Sequence, residues 1–172
     1  EINKKHRIAI IEMGANHKKE IDFLCNIAKP TYGIITNIGS AHLEGFGSLQ
    51  AIIETKNELY EFINRSKGDL FVNADDELLI NLSNEIPQIT YGKSDDITDI
   101  INKKTPLLSI KYNNEIITSN LIGDFQFSNI MSAICIGNYF NISTRKIKRS
   151  IENYIPTNNR SQLLKTQKNT LI

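Results

Sequence analysis

Lys56 stands where a charge needs a reason. A helix read from Ser48 to Arg65 puts Leu49, Ile52, Ile53, Leu59, Tyr60 and Ile63 on one stripe at three- and four-residue spacing, with Lys56 at its centre. Lysine is rarely buried without a partner, and a buried amine tends to release its proton. The side chain is therefore either recruited for chemistry or runs its stem past the core so that the ammonium reaches water. Two other polar residues bear on that choice. Glu12 closes an apolar run of strand length, and His42 lies in the glycine-rich stretch after the next such run. Singly, a carboxylate at a strand end and a loop imidazole are ordinary solvated groups. With Lys56 they are expected to converge on one edge of the fold.

The elements that must position them follow from periodicity. Arg7 to Met13 reads as a strand, Gly14-Ala15-Asn16 as a turn, and His17 to Ala28 as a helix closed by Pro30. Tyr32 to Ile38 is a second strand, Gly39 to Gly47 a loop, and the Lys56 helix comes next. Asp69 to Asn73 is a third strand, Asp75 to Leu82 a short helix, and Gln88 to Tyr91 a fourth strand. Strands alternating with helices predict an α/β fold, a mostly parallel sheet with helices on both faces. Such sheets hold ligands at the carboxyl ends of their strands, where the Gly14 and Gly39 loops fall.

From Ile97 to Leu121 the pattern changes to alternation. Leu108, Ile110 and Tyr112 are expected to face Ile116 and Thr118 across an Asn113-Asn114 turn, a β-hairpin in a small antiparallel sheet. Phe127, Ile130, Met131 and Ile134 then make a helix face, and Thr144 to Tyr154 gives a short helix ending before Pro156. Thr157 to Gln162 reads as a polar connection, and Thr170 to Ile172 as the start of a strand.

Composition narrows the function classes. The 172 residues include 20 basic and 19 acidic side chains, a net charge of +1 with no sustained basic stripe, so nucleic acid is not an expected partner. The apolar runs are strand-sized and no membrane partner is expected. Cys25 and Cys135 fall in helix-like segments with no CxxC, the pattern of buried free thiols in a reducing compartment, hence a cytoplasmic protein. There is no Gly-x-x-x-x-Gly-Lys-Ser/Thr to cradle a triphosphate, and Gly45-Phe-Gly47 supplies only part of a dinucleotide fingerprint.

The segments Glu12-Met-Gly-Ala-Asn-His17, Asn37-Ile-Gly-Ser-Ala-His-Leu-Glu-Gly-Phe-Gly-Ser48 and Thr55-Lys-Asn-Glu58 resemble the central domain of the Mur ligases, and the likeness runs from about Arg7 to Gln162. It is nearest to the branch that joins D-alanyl-D-alanine to a UDP-N-acetylmuramoyl tripeptide. The resemblance implies an ATP-dependent amide ligase of peptidoglycan precursor synthesis, working through an acyl phosphate. It implies that Glu12 and His42 help hold Mg²⁺ and that Lys56 is carbamylated. Adding carbon dioxide to a neutral amine makes an anionic oxygen group of the kind Mg²⁺ prefers, which agrees with the odd placement of Lys56. Leu121-Ile-Gly-Asp-Phe-Gln-Phe-Ser-Asn129 resembles the family's Gly-x-His-Asn-x-x-Asn, implying adenine binding by Asn129. Phe125 stands for the His there and Gln126 for the first Asn. Asn159-Arg-Ser-Gln162 resembles the family's hinge, making Arg160 a phosphate contact.

In the family a P-loop and a UDP-binding domain precede the Glu12 strand, and an amino-substrate domain follows the hinge. Residues 1–162 are therefore expected to be the central domain without its P-loop segment, with 163–172 a linker or the start of the next domain. The expectation is a chain inactive alone, from a monomeric parent. Two other readings compete. One keeps the chemistry on a different substrate, as in another Mur ligase or a folylpolyglutamate synthetase. The other is a non-catalytic α/β binding module.

Overall fold

The computed structural model describes residues 3–39, 46–92, 97–100, 107–156, 164–165 and 170–171. The chain forms two compact units, Glu1–Leu70 with Asn81–Ile89, and Phe71–Ile80 with Thr90–Ile172. Its elements in order are α1 (Glu20–Ala28), β1 (Tyr32–Ile34), α2 (Leu49–Ser66), β2 (Asp69–Asn73), α3 (Glu77–Leu82), β3 (Gln88–Tyr91), β4 (Ile97–Ile100), β5 (Leu107–Tyr112), β6 (Glu115–Ile122), α4 (Gln126–Tyr139), α5 (Thr144–Asn153), β7 (Leu164–Lys165) and β8 (Thr170–Leu171). A parallel sheet of order β1-β2-β3 accompanies an antiparallel sheet of order β4-β5-β6, and β7 pairs with β8. The α/β expectation holds, with β4 a strand added to the expected hairpin.

In the first unit α1 lies on α2. Ile21 and Cys25 meet Phe62 in a buried cluster that Met13, Ala15 and Leu59 flank. Gly33 lets α2 come close to β1, because a Cβ there would meet Ile63 Cγ1 and Leu70 Cδ2 at 3.0 Å. Both helices end on a lysine in the left-handed region, Lys29 at φ 49° and Lys67 at φ 58°, where the chain turns and each backbone N–H closes the last turn.

The second unit is built on the β5–β6 hairpin and on α4 and α5. Asn113 and Asn114 both have positive φ, 47° and 63°, as a two-residue hairpin turn requires. This turn pairs Tyr112 with Glu115 and Ile110 with Ile117. Ile117 and Ser119 are therefore the buried residues of β6, while Ile116 and Thr118 point outward, the reverse of the expected facing. The sequence turn was right, and counting two loop residues moves every partner by one. Phe127, Ile130, Met131 and Ile134 of α4 are buried as their spacing predicts. Asn120 of β6 donates to the Glu152 carbonyl of α5 at 2.7 Å, fastening sheet to helix.

Two other expectations fail. Arg7 to Met13 is not a strand: it pairs with none among the described residues, and Ile8, Ile10 and Ile11 are exposed, Ile10 at 90%. An apolar β-prone run becomes a strand only beside an edge that takes its hydrogen bonds. The first helix begins at Glu20 rather than His17, because Lys19 adopts φ 74° and breaks the helical path. Cys25 and Cys135 are free thiols, Cys25 buried as expected and Cys135 partly exposed.

Candidate active site

Ser48 opens α2 as its N-cap, its hydroxyl accepting from the Ala51 amide at 3.1 Å. The cap fixes the phase of the helix, and the phase decides what Lys56 can reach. Thr55, 1% exposed, and Glu58, 6% exposed, occupy the buried face, whereas Leu49 is exposed. Lys56 thus lies on the flank of the buried stripe and not at its centre. Its side chain is half-buried, and Nζ donates to the Asn37 carbonyl at 2.8 Å, in the loop after β1. Burial lowers its pKa from the ordinary lysine value, enlarging the neutral fraction. One carbonyl and incomplete hydration make this an amine open to modification.

Glu12 is exposed, and among the described residues neither a hydrogen bond nor an ion pair engages its carboxylate or joins it to Lys56. His42 and Arg160 lie outside the described residues. Among the described residues no group of three metal-ligating side chains gathers. Mg²⁺ commonly takes one or two carboxylates, completing its shell with water and phosphate oxygens. A free, hard-oxygen donor such as Glu12 fits that requirement.

The segment after Glu12 is fastened by carboxylates. Glu20 accepts from the Asn16 and His17 amides at 2.7 and 3.2 Å, and its other oxygen lies 3.0 Å from His17 Nδ1. These contacts, the Asn16 amide foremost, hold the Glu20 carboxyl below its usual range. Lys18 pairs with Glu54 of α2 at 2.6 Å and lowers its pKa likewise, while Arg65 pairs with Asp22 at 2.5 Å. Glu58 of α2 accepts from the amides of Lys19 at 2.6 Å and Asp22 at 3.0 Å. In the sequence Glu58 closes the Thr55-Lys-Asn-Glu58 segment, with no role implied for it there. The available signal was a carboxylate one turn from Thr55 on the buried face of an amphipathic helix. A hollow of about 320 Å³ in this unit, lined by Lys29, Thr31, Phe62 and Gly68, sits at the amino ends of β1 and β2, away from the Lys56 contact.

In the second unit, a cavity of about 450 Å³ is lined by Leu121, Gln126, Asn129, Ile130, Ile151 and Tyr154 among others. Apolar walls and a few amides suit a flat, partly polar ring. Asn129 is exposed on α4 and donates Nδ2–H to the Gln126 side-chain oxygen at 2.8 Å, and among the described residues its side-chain oxygen and second side-chain N–H have no partner. Phe125, 68% exposed, lays its ring against Gly123, where any Cβ would collide with it.

The profile of the Mur ligase middle domain matches residues 1–137. The UDP-N-acetylmuramoyl-tripeptide–D-alanyl-D-alanine ligase of Haemophilus influenzae is 30% identical over 158 residues, covering 88% of this chain and 34% of that protein. The ligase of the same name from Bacillus subtilis is 31% identical over 165 residues, covering 92% and 35%. The chain spans about a third of the length of these curated relatives. Among solved structures, MurF from Acinetobacter baumannii superposes with a TM-score of 0.82 at 22% identity, covering 98% of this chain and 39% of that one. MurF ligase from Thermotoga maritima in complex with ADP gives a TM-score of 0.69 at 22% identity, covering 89% and 37%. At these identities the superpositions speak for the fold.

Proposed function

The chain belongs to the Mur ligase family, a family of ATP-dependent ligases, and from that premise we propose that it is the nucleotide-handling middle part of a longer enzyme. That enzyme joins D-alanyl-D-alanine to a UDP-N-acetylmuramoyl tripeptide in the cytoplasm, as a monomer. Residues 1–162 form its central domain, and 163–172 lead toward the domain that receives the amino substrate. The observation that carries the reading is the half-buried amine of Lys56, held by the Asn37 carbonyl and lowered in pKa by burial. The names of the relatives supply the substrates.

The reaction brings a carboxylate and a triphosphate together, two anions that repel. The carboxylate attacks the γ-phosphorus, ADP leaves, and the dipeptide amine then displaces phosphate from the acyl phosphate. Bound Mg²⁺ would neutralise the phosphate and carboxylate oxygens. Glu12 offers it a carboxylate oxygen, and His42 is the second donor the family likeness assigns. Lys56, when neutral, adds carbon dioxide: the nitrogen lone pair forms an N–C bond, one proton leaves to solvent, and a carbamate anion remains. That anion orients the reacting oxygens at the carboxyl end of β1. Asn129 supplies one donor and one acceptor to the adenine edge, a pairing suited to a 6-aminopurine. Arg160 contributes a cation to the phosphates.

The test is Lys56→Ala in the full-length protein. Ligation is expected to fall by roughly a hundredfold or more and to recover in part with added short-chain carboxylates. Near-parental ligation without added carboxylate removes Lys56 from the mechanism. A substrate panel, with a glutamyl folate beside the D-alanyl-D-alanine pair, separates this reading from a folylpolyglutamate synthetase.

A further inference from the structure

Among the described residues, no cation pairs with the buried carboxylate of Glu58. Its two oxygens accept instead from two backbone amides, those of Lys19 and Asp22, which are 39 and 36 residues away in the chain. These amides open α1, whose own cap position is a left-handed lysine with no side-chain hydrogen bond. The first N–H groups of a helix have no partner within it, and a negative charge placed there is favoured by the helix dipole. Glu58 therefore caps α1 from a different helix.

The capped end leads back to Glu12. The Asn16 and His17 amides are held by Glu20, in the first turn of α1, and Met13 and Ala15 pack against the Ile21, Cys25 and Phe62 cluster. From Glu58 to the start of α1, and from there through residues 13–17, a continuous set of bonds and packed side chains ends one residue from Glu12. Two positions before Glu58 on the same helix, Lys56 holds the Asn37 carbonyl. A single stretch of α2 thus fastens both the Glu12 segment and the loop after β1.

We propose that Glu58 is a positioning residue: by gripping the Lys19 and Asp22 amides it sets the Glu12 segment against α2, so that the Glu12 carboxylate and the Lys56 side chain serve one magnesium site. Glu58 itself touches neither metal nor substrate, since its oxygens are occupied and buried. The proposal rests on the reading of Glu12 as a magnesium ligand.

Two readouts on the full-length protein test it, with Glu58→Ala and Glu58→Gln. The first is amide hydrogen exchange without metal or nucleotide. Glu58→Ala is expected to speed exchange at Lys19 and Asp22 by about tenfold or more and to loosen residues 13–17. Parental exchange at both amides overturns the cap. The second is the Mg²⁺ concentration giving half-maximal ligation, expected to rise about tenfold in Glu58→Ala, as for loss of a group that orients a metal ligand. The KM for D-alanyl-D-alanine should not move. Glu58→Gln, which keeps one acceptor oxygen, should recover most of the Mg²⁺ response. A lower melting temperature with a parental Mg²⁺ response overturns the positioning role and leaves Glu58 a purely stabilising cap. Glu12→Gln is the control: a parental Mg²⁺ response there overturns the magnesium reading of Glu12, and with it the coupling, whatever the exchange data show.

Discussion

The surroundings of Lys56 and those of Asn129 are held by opposite means. Around Lys56 each fastening spans a long stretch of chain: Lys56 to Asn37, Lys18 to Glu54, Glu58 to the start of α1, Arg65 to Asp22. Asn129 is fixed within a single turn of α4 by Gln126, three residues before it. Of the Lys56 fastenings, the last three exist only once the α1 segment has docked on α2, and the first only once the loop after β1 has. The Asn129 tie forms as soon as its helix does. A site that must bring together groups from several segments needs long-range ties, whereas an amide proposed to read a base needs only a rotamer.

Substitutions can break that contrast, beginning with the largest effect. Ile63→Ala, at a fully buried position of α2 whose Cγ1 lies beneath Gly33, is expected to cost about 2–5 kcal/mol in chemical denaturation. It should also alter the Lys56 surroundings, since the docking it weakens carries them. A smaller change is expected at Asn129. In the full-length protein Asn129→Ala should raise the KM for ATP roughly tenfold and lessen the preference over GTP, if the pair of bonds proposed to the base edge is lost with it. Gln126→Ala should raise it only about threefold, the scale of one modest orienting hydrogen bond. An equal effect of both substitutions would show that Gln126 itself binds the base. Ser48→Ala should cost about 1 kcal/mol as a lost helix cap, read as a shift in denaturation midpoint without a change in slope.

Alkaline pH separates the regions by sign. The folded pKa of Lys56 lies below its reference value of 10.5, so the unfolded chain binds more protons between the two. Stability from this group therefore rises as pH climbs through that window, and Lys56→Met removes the rise. Tyr91, in the second unit, behaves oppositely. Burial pushes its phenol from 10.0 up to about 12, so stability from it is complete below 10.0 and is lost as pH climbs to about 12. Tyr91→Phe should flatten that loss, and in an ultraviolet titration of the folded protein it should remove a tyrosine that ionises late.

Much of this was legible in residue order, and the exceptions share a cause. The bounds of β2 and β3, the Asn113-Asn114 turn and the buried face of α4 follow from local pattern, because each is decided by neighbours a few residues apart. Arg7 to Met13 failed because strand formation depends on an edge that periodicity cannot supply. Lys56 was misplaced within its stripe for a related reason: a position on the buried face is filled by Glu58, a charged residue that a hydrophobic pattern counts as surface. Its burial is intelligible only when the unpaired amides at the start of α1 are seen beside it. The unusual side chain of α2 was recognised, but its neighbour with the more deeply buried charge was not.

Lys19, Lys29 and Lys67 share a backbone geometry that glycine adopts at no steric cost and lysine does not, with φ of 74°, 49° and 58°. Each marks a helix end at which the native residue opposes the path the chain takes. Glycine at Lys29 and Lys67, which lie outside the Glu58 cap, should raise the melting temperature in small, additive steps, each worth about 1 kcal/mol or less, without touching Lys56 or Asn129. The molecule thus carries an untapped reserve for engineering, written into the corners of its helices and independent of its chemistry.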